Sequence, residues 1–434
     1  MRRGRINAAV MAAILAGAPA WADPGDRQIH TIPYTITTGG RYVLTRNLYL
    51  SAPGTVITGI LVQAHDVVID LNGFALDGSN IAYGIIQDTG AHQLTVQNGF
   101  IRNCFAAIRA PGDRNRFENL GITACYGGIT SGPSAVVEGC ILGQNQSSAG
   151  LALIKVGEGS RVSECLVSVN QNTDGSAACE GIGVGVGSVV RRIVFRGNSF
   201  NGSVSYLVQG AELVEQVVAD YNTRLRHGIM GFRVARDCVI ADTDLGTEME
   251  LFTDGQVAER CVAYDNEASL LGMPQITAFY KVRKTLDCVA AHNRSTAPTG
   301  GAGFRETDAL GCAAFSNTLY GFLGGSALAS VAYRNPLYGF ELGPDANLQD
   351  CLAAGSSIGI HQQGSVNGAR LVDNHAARNS DFGFFSIDQL GTIAVGNSAQ
   401  NGLDIGGSAK GGAVQTLAGG TTISTNNAWA NFQW

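Results

Sequence analysis

The chain has 434 residues, of which 45% are hydrophobic, 15% charged and 58 are glycine, and its formal charge is −6. A disordered chain carries fewer apolar residues and more net charge, and collagen needs glycine at every third position; the sequence has neither property. It holds only 10 prolines and no 18-residue apolar run beyond the N-terminus, which argues against a bundle of membrane-spanning helices.

Residues 1–22 read as a secretory signal peptide. Arg2, Arg3 and Arg5 supply the positive region, Ile6 to Ala18 the apolar stretch, and Ala20-Trp21-Ala22 the small–x–small pattern, with the cut expected after Ala22. This predicts a secreted or periplasmic protein whose folded part is 23–434, with no transmembrane segment left after cleavage. The lost arginines make the balance more acidic still, and the whole chain has only Lys155, Lys281, Lys284 and Lys410 as lysines. Nucleic acid is therefore not an expected partner.

From residue 135 onward the chain returns again and again to an apolar pair, a cysteine, four residues and an asparagine. The instances are Cys140/Asn145, Cys165/Asn170, Cys261/Asn266, Cys288/Asn293 and Cys312/Asn317. Elsewhere the asparagine persists without the cysteine, as in Ile193/Asn198, Ser330/Asn335 and Asn374/Asn379. Glycine follows at a fixed offset in Asn317…Gly321, Asn335…Gly339 and Asn379…Gly383. The period wanders around 23 residues, and within it Val and Ile alternate with polar residues, as in Val136-Val137-x-x-Cys140-Ile141. No helical stripe persists. Short strands at this period predict a solenoid of β-coils that bury their apolar faces by stacking. With coils about 4.8 Å apart, roughly fifteen of them make a rod about 70 Å long. Cysteines are expected to fill the interior as small hydrophobes, asparagines to bond the turn backbone, and glycines to supply positive φ at turns. The terminal Trp429–Trp434 is expected to cover the last coil.

The opening segment adds Ile32-Pro33-Tyr34-Thr35-Ile36, Gly40-Arg41-Tyr42-Val43-Leu44, Val67-Val68-Ile69-Asp70-Leu71-Asn72-Gly73 and Leu94-Thr95-Val96-Gln97-Asn98-Gly99. With these first coils the chain resembles the right-handed parallel β-helix repeat proteins, the architecture of pectate lyases and polygalacturonases, over about residues 29–427. The resemblance implies an all-β fold, a single right-handed parallel β-helix. It implies a polysaccharide or cell-surface glycan as partner, with a lyase-type enzyme as one reading and a non-catalytic envelope or adhesion scaffold, possible as a homo-oligomer, as the alternative. Since one fold hosts many functions, the activity must be argued from the site.

Seven cysteines (140, 165, 238, 261, 288, 312 and 351) occupy one repeat position and should be buried thiols; Cys104, Cys125 and Cys179 sit off it, and a single bridge involving one of these is the alternative. No zinc motif occurs, and the seven histidines are scattered. Arg109-Ala-Pro111-Gly-Asp-Arg114 matches the R-x-P-x-x-R pattern of pectate lyases but reads as a loop between strands. Gly355-Ser-Ser357-Ile-Gly359 lacks the helix a nucleophile elbow needs. There is no Asp-Asp pair of the polygalacturonase kind.

The informative stretch is 242–259, with six acids and no Lys or Arg. Asp242 and Asp244 share a face, as do Glu248 and Glu250, and these four are the candidate ligands for Ca²⁺. Arg226 and His227 lie one coil earlier, Lys281 and Arg283 one coil later. These four are the candidate catalytic groups, Lys281 or Arg226 being the expected base of a lyase. The competing reading of the same charges is a solvated face of cross-strand ion pairs. Tyr320, Phe322, Tyr333, Tyr338 and Phe340 recur at matching places, and they form a sugar platform if stacked outside or core if stacked inside.

Overall fold

The computed structural model describes residues 25–50, 57–78, 83–147, 152–172, 179–200, 205–268, 275–295, 301–362, 369–385, 393–395, 397–400, 405–406 and 432–433; the side chains of 147, 179, 245–249, 393–395, 400, 405–406 and 432–433 are outside that description. The signal segment 1–22, and most of the C-terminal segment 429–434, thus lie outside the described residues. The chain is an all-β parallel β-solenoid, with a coil count slightly different from fifteen. Among the described residues there is no helix, and none long and apolar enough to cross a membrane. By contacts it divides into Met1–Ala211 and Glu212–Trp434.

Each coil contributes three short strands, and like strands stack in parallel into three ladders. In the first unit Val136–Glu138 (first ladder) pairs with Arg161–Ser163, Ile141–Gly143 (second) with Leu166–Ser168, and Ile154–Val156 (third) with Cys179–Val184. In the second unit Val257–Glu259, Val262–Tyr264 and Gln275–Tyr280 play the same parts. The pairing is in register, so one residue type lies above another.

The corners explain the repeat. The residue before each ladder cysteine has φ near +50° to +65°, as at Gly139, Glu164, Asp237, Arg260 and Asp287, and so does the residue before each ladder asparagine, as at Gln144, Val169, Asp265 and His292. Left-handed backbone at non-glycine residues costs roughly 1–3 kcal/mol each, so something must hold it. The asparagines do. Asn145 Nδ2 donates to Asn170 Oδ1 (3.0 Å) and to the Ile122 carbonyl of the coil before (3.0 Å). Asn266, Asn293, Asn317 and Asn335 are linked likewise in the second unit, at 2.9–3.3 Å. Every one of these is buried, and the amide chain satisfies corner carbonyls that would otherwise be orphaned.

The described cysteines are all free and buried, so the alternative of a bridge does not hold for Cys104 and Cys125; Cys179's side chain is outside the described residues. Cys104 and Cys125 are not strays either. They follow the left-handed Asn103 and Ala124 and occupy the asparagine corner, the Cys125 amide donating to Asn145 Oδ1 at 3.0 Å. Conversely Asn374 sits at the cysteine corner and accepts from the Cys351 amide at 3.0 Å. The two corners take either residue, because each wants a small side chain that reaches a carbonyl.

One expectation is corrected. Gly321 and Gly339 lie inside the strands Tyr320–Leu323 and Tyr338–Leu342, and neither is among the positive-φ glycines. They are glycine for lack of room: a Cβ on Gly321 would stand 2.5 Å from the Gly339 carbonyl oxygen and 2.8 Å from Asn335 Nδ2.

Interior volume is balanced across the ladders. In the second unit the third ladder stacks Phe252, Phe279, Phe304, Phe322 and Phe340 face to face at 4.6–4.9 Å, all buried. Opposite them the second ladder is alanine in register, from Ala263 through Ala290, Ala314 and Ala332 to Ala353. Small residues on one wall make room for large ones on the other.

Candidate functional site

In Glu212–Trp434 the inward phenylalanines of the third ladder are flanked by two register columns, which come to the surface at His227, Glu250, Tyr280, Arg305, Tyr320 and Tyr338 and are buried at Thr253, Thr277, Ala302 and Ile358. The first runs His227, Glu250, Thr277, Ala302, Tyr320, Tyr338, Ile358, Phe382; the second runs Met230, Thr253, Tyr280, Arg305, Leu323, Glu341, His361, Phe385. Toward the C-terminal rungs this face becomes aromatic. Tyr320 and Tyr338 rings are 5.6 Å apart, His361 stacks on Tyr338 at 4.5 Å and on Phe385 at 5.5 Å, and Phe385 lies 5.0 Å from Phe382.

Set among these rings are a carboxyl and an imidazole. Glu341 and His361 are register partners, with side chains 10% and 11% exposed and Oε1–Nδ1 at 3.9 Å. That is too long for a hydrogen bond, and Glu341 Oε2 and His361 Nδ1 have no hydrogen-bond partner among the described residues. Burial pushes the Glu341 carboxyl above its ordinary value and the His361 imidazole below its own. Both shifts favour the neutral form, as desolvation without a hydrogen bond must. Burial, then the Glu341 charge, also raises the Tyr338 hydroxyl. A carboxyl that holds its proton more tightly than usual, beside an imidazole that releases its own more readily, makes a donor–acceptor pair suited to proton transfer.

The acids and bases singled out in the sequence are distributed differently. His227 and Glu250 do meet, in register, with Nδ1–Oε2 at 3.5 Å and side chains about a quarter exposed. They stand at the N-terminal end of the same face. Arg226 is on their strand and half-buried. Lys281 is at a left-handed corner, its ammonium 4.8 Å from the Tyr280 ring. The Tyr280 hydroxyl beside it holds Lys281 above its ordinary value, the wrong direction for a base. Arg283 is exposed, past that corner. Asp242 occupies an exposed left-handed corner and Asp244 opens the strand Asp244–Thr253. The Glu248 backbone pairs with Gln275, and its side chain is outside the described residues. Among the described residues no three His, Cys, Asp or Glu side chains gather as a metal would require.

Arg109 is exposed on the strand Ala106–Ala110, and Ser357 Oγ donates to Asp381 at a turn. Of the recurring aromatics, Phe322 and Phe340 are core, and Tyr320 and Tyr338 face outward. Glu341 and His361 were not singled out in the sequence. Aligning Tyr338-Gly-Phe-Glu341 with Ile358-Gly-Ile-His361 would have found them, since both acid and imidazole fall three residues after the same outward position.

The molecule is thus a parallel β-solenoid with an aromatic outer face around a buried carboxyl–imidazole pair. No protein-family model matches the sequence, and a comparison with curated proteins finds no match. Among solved structures it is similar to the A-module of a mannuronan C-5 epimerase from Azotobacter vinelandii, at 12% identity and TM-score 0.24 over 86% of this chain and 92% of that one. It is also similar to a tailspike protein of E. coli bacteriophage HK620 in complex with pentasaccharide (10%, TM-score 0.32, 77% and 72%). A third is a PL6 alginate lyase in complex with trisaccharide (9%, TM-score 0.26, 98% and 89%). These superpositions are loose, and the fold assignment rests on the chain's own parallel ladders.

Proposed function

We propose that this is a secreted protein that binds a polysaccharide along the outer face of the third ladder in Glu212–Trp434 and cleaves it by elimination, with His361 taking the proton and Glu341 giving one. The observation that supports this reading is the Glu341–His361 pair, buried among Tyr338, Phe382 and Phe385 on an outward surface. A fold whose core is made of apolar ladders has no structural use for a buried, unbonded carboxyl on its outside. Aromatic faces are the surfaces on which sugar rings stack. His227, Glu250 and Arg305 extend the same face as polar contacts for a chain lying along it, one rung being about 4.8 Å.

In an elimination the base removes the proton α to a sugar carboxylate, the electron pair forms the C–C double bond, the glycosidic C–O bond breaks, and the leaving oxygen takes a proton. Neutral His361 fits the first role and protonated Glu341 the last. The base in this reading is an imidazole, and among the described residues no second carboxylate is partnered with Glu341 as two-carboxylate hydrolysis requires.

The test is to incubate chain 23–434, with and without calcium, with uronate-containing and neutral polysaccharides, following unsaturated products, reducing ends and binding. Unsaturated product that disappears in Glu341→Gln and His361→Ala while binding persists supports the reading. Reducing ends without unsaturation would make it a hydrolase. Binding without turnover would leave the scaffold alternative, and neither binding nor turnover would overturn the assignment of this face.

A further inference from the structure

A second site lies on the outer face of the first ladder in Glu212–Trp434. There Lys284 is in register with Asp308, and two residues further along the strands Leu286, Leu310 and Leu328 are in register on successive rungs. After Asp308 the polar column passes to Ser326, whose Oγ accepts from the Asn347 amide at 3.1 Å. Ser326 is small where the coils on either side carry Asp308 and Asn347, and beside it is an open hollow of about 230 Å³ whose surface is almost wholly hydrocarbon, with Leu286, Ala309, Leu310, Ala327 and Leu328 in its lining and Lys284, Asp308, Ser326 and Asn347 bordering it. Leu310 and Leu328 remain 43% and 39% exposed.

The charges here behave unlike those of neighbouring coils. On the same ladder Arg236 is 2.8 Å from Glu259, and Arg260 holds Asp237 with two bonds at 2.7 and 3.0 Å. Lys284 and Asp308 stand opposite each other in register, yet among the described residues neither side chain has an ion-pair or hydrogen-bond partner. A cation and an anion carried on adjacent rungs, beside a hydrocarbon wall, complement one kind of small molecule. It must carry a carboxylate and an ammonium close together and an apolar group to one side. The volume, below the usual range of drug-sized pockets, suits a small metabolite.

We propose that this hollow binds a free α-amino acid with an apolar side chain. Lys284 pairs with the carboxylate, Asp308 and the Ser326 hydroxyl take the ammonium, and the side chain covers Leu310 and Leu328. The site is independent of the polysaccharide face, and the proposal stands whether or not that reading does.

Titration of chain 23–434 with L-leucine and L-phenylalanine, followed by calorimetry, tests it. N-acetyl-L-leucine and L-leucinamide, each lacking one charge, serve as the discriminating probes. Saturable one-to-one binding of leucine, weakened tenfold or more for both probes, is expected. Lys284→Gln should erase the preference for leucine over leucinamide, and Asp308→Asn the preference over the N-acetyl form, with melting temperatures unchanged because both residues are at the surface. Absence of saturable binding at millimolar leucine and phenylalanine overturns the proposal, as does equal binding of either probe or indifference to both substitutions.

Discussion

The third ladder is built twice from different side chains. In Met1–Ala211 its inward column is aliphatic, Ile60, Ile85, Ile108, Ile129, Ile154 and Ile182 in register, and its outward column carries Ile86, Arg109, Thr130 and Lys155. In Glu212–Trp434 the inward column is a phenylalanine stack, and the outward one carries Leu323, Glu341, His361 and Phe385. The acids differ most. Glu180 in the first unit has Lys155 at 3.4 Å, the ion-paired arrangement expected of a solvated face. Glu341, 10% exposed, has among the described residues only an unbonded imidazole at 3.9 Å, itself stacked between Tyr338 and Phe385. The hydrogen-bonded frame is the same in both units. What an outward carboxylate can do therefore depends on the two or three side chains that the register sets beside it.

Three substitutions put this contrast under load. Glu341→Gln and His361→Ala should each lower turnover by roughly 10²–10⁴, whereas Glu180→Gln in the equivalent ladder should leave it unchanged; equal losses in all three would mean that folding, not chemistry, was lost. The pH profile carries a sign. Activity needs neutral His361, so the acid limb falls below the ordinary imidazole range, and it needs protonated Glu341, so the alkaline limb lies above the ordinary carboxyl range. The optimum should be on the acid side of neutrality. In the interiors, Phe304→Ala removes the middle of a five-ring stack facing alanines that cannot close the gap, and should cost about 3–5 kcal/mol. Ile129→Val in the aliphatic column should cost only about 0.5–1.5 kcal/mol. Denaturant titration of both variants measures the difference, and similar values would mean that the stack relaxes.

The ladders could be read from the sequence because a solenoid repeats its constraints. Each coil faces the same two corners, so cysteine and asparagine recur, and the period of two in Val and Ile marks the strands. Two things did not repeat and were harder to read. Asn374 could be read at the cysteine position from its spacing to Asn379, but the placement of Cys104 and Cys125 at the asparagine corner depends on which residue follows a left-handed position, which the chain does not spell. The Glu341–His361 pair depends on register between coils of different length. The acid-rich run 242–259 drew attention through local density, but density along the chain differs from proximity in space. Its members scatter over two left-handed corners, Asp242 and Asp254, and two strands, with Glu250 meeting the His227 imidazole and Glu259 pairing with Arg236 across rungs.

Smaller effects refine the account of why each residue sits where it does. Cys288→Ala should cost about 1 kcal/mol, since the thiol acts as a small buried hydrophobe whose hydrogen bond to the Ala258 carbonyl, at 3.4 Å, is weak. A much larger loss would mean that the thiol ladder holds the corner as the asparagines do.

The smallest expected effect concerns Glu341 and stability. Its carboxyl is raised by burial, so the folded state holds the proton more tightly than the unfolded chain. Its contribution is fully present below the ordinary carboxyl value and is lost as pH rises through the raised one. His361 is lowered, and its contribution is present above the ordinary imidazole value and lost as pH falls through the lowered one. Glu341→Gln keeps the shape and the neutral state but cannot ionise. Its melting temperature should therefore match that of the parent at low pH and exceed it slightly at neutral pH and above, while the decline on the acid side, due to His361, stays. Parallel curves at every pH would mean that Glu341 ionises as easily in the fold as outside it, and the aromatic rings would then not shield it enough to serve as a proton donor.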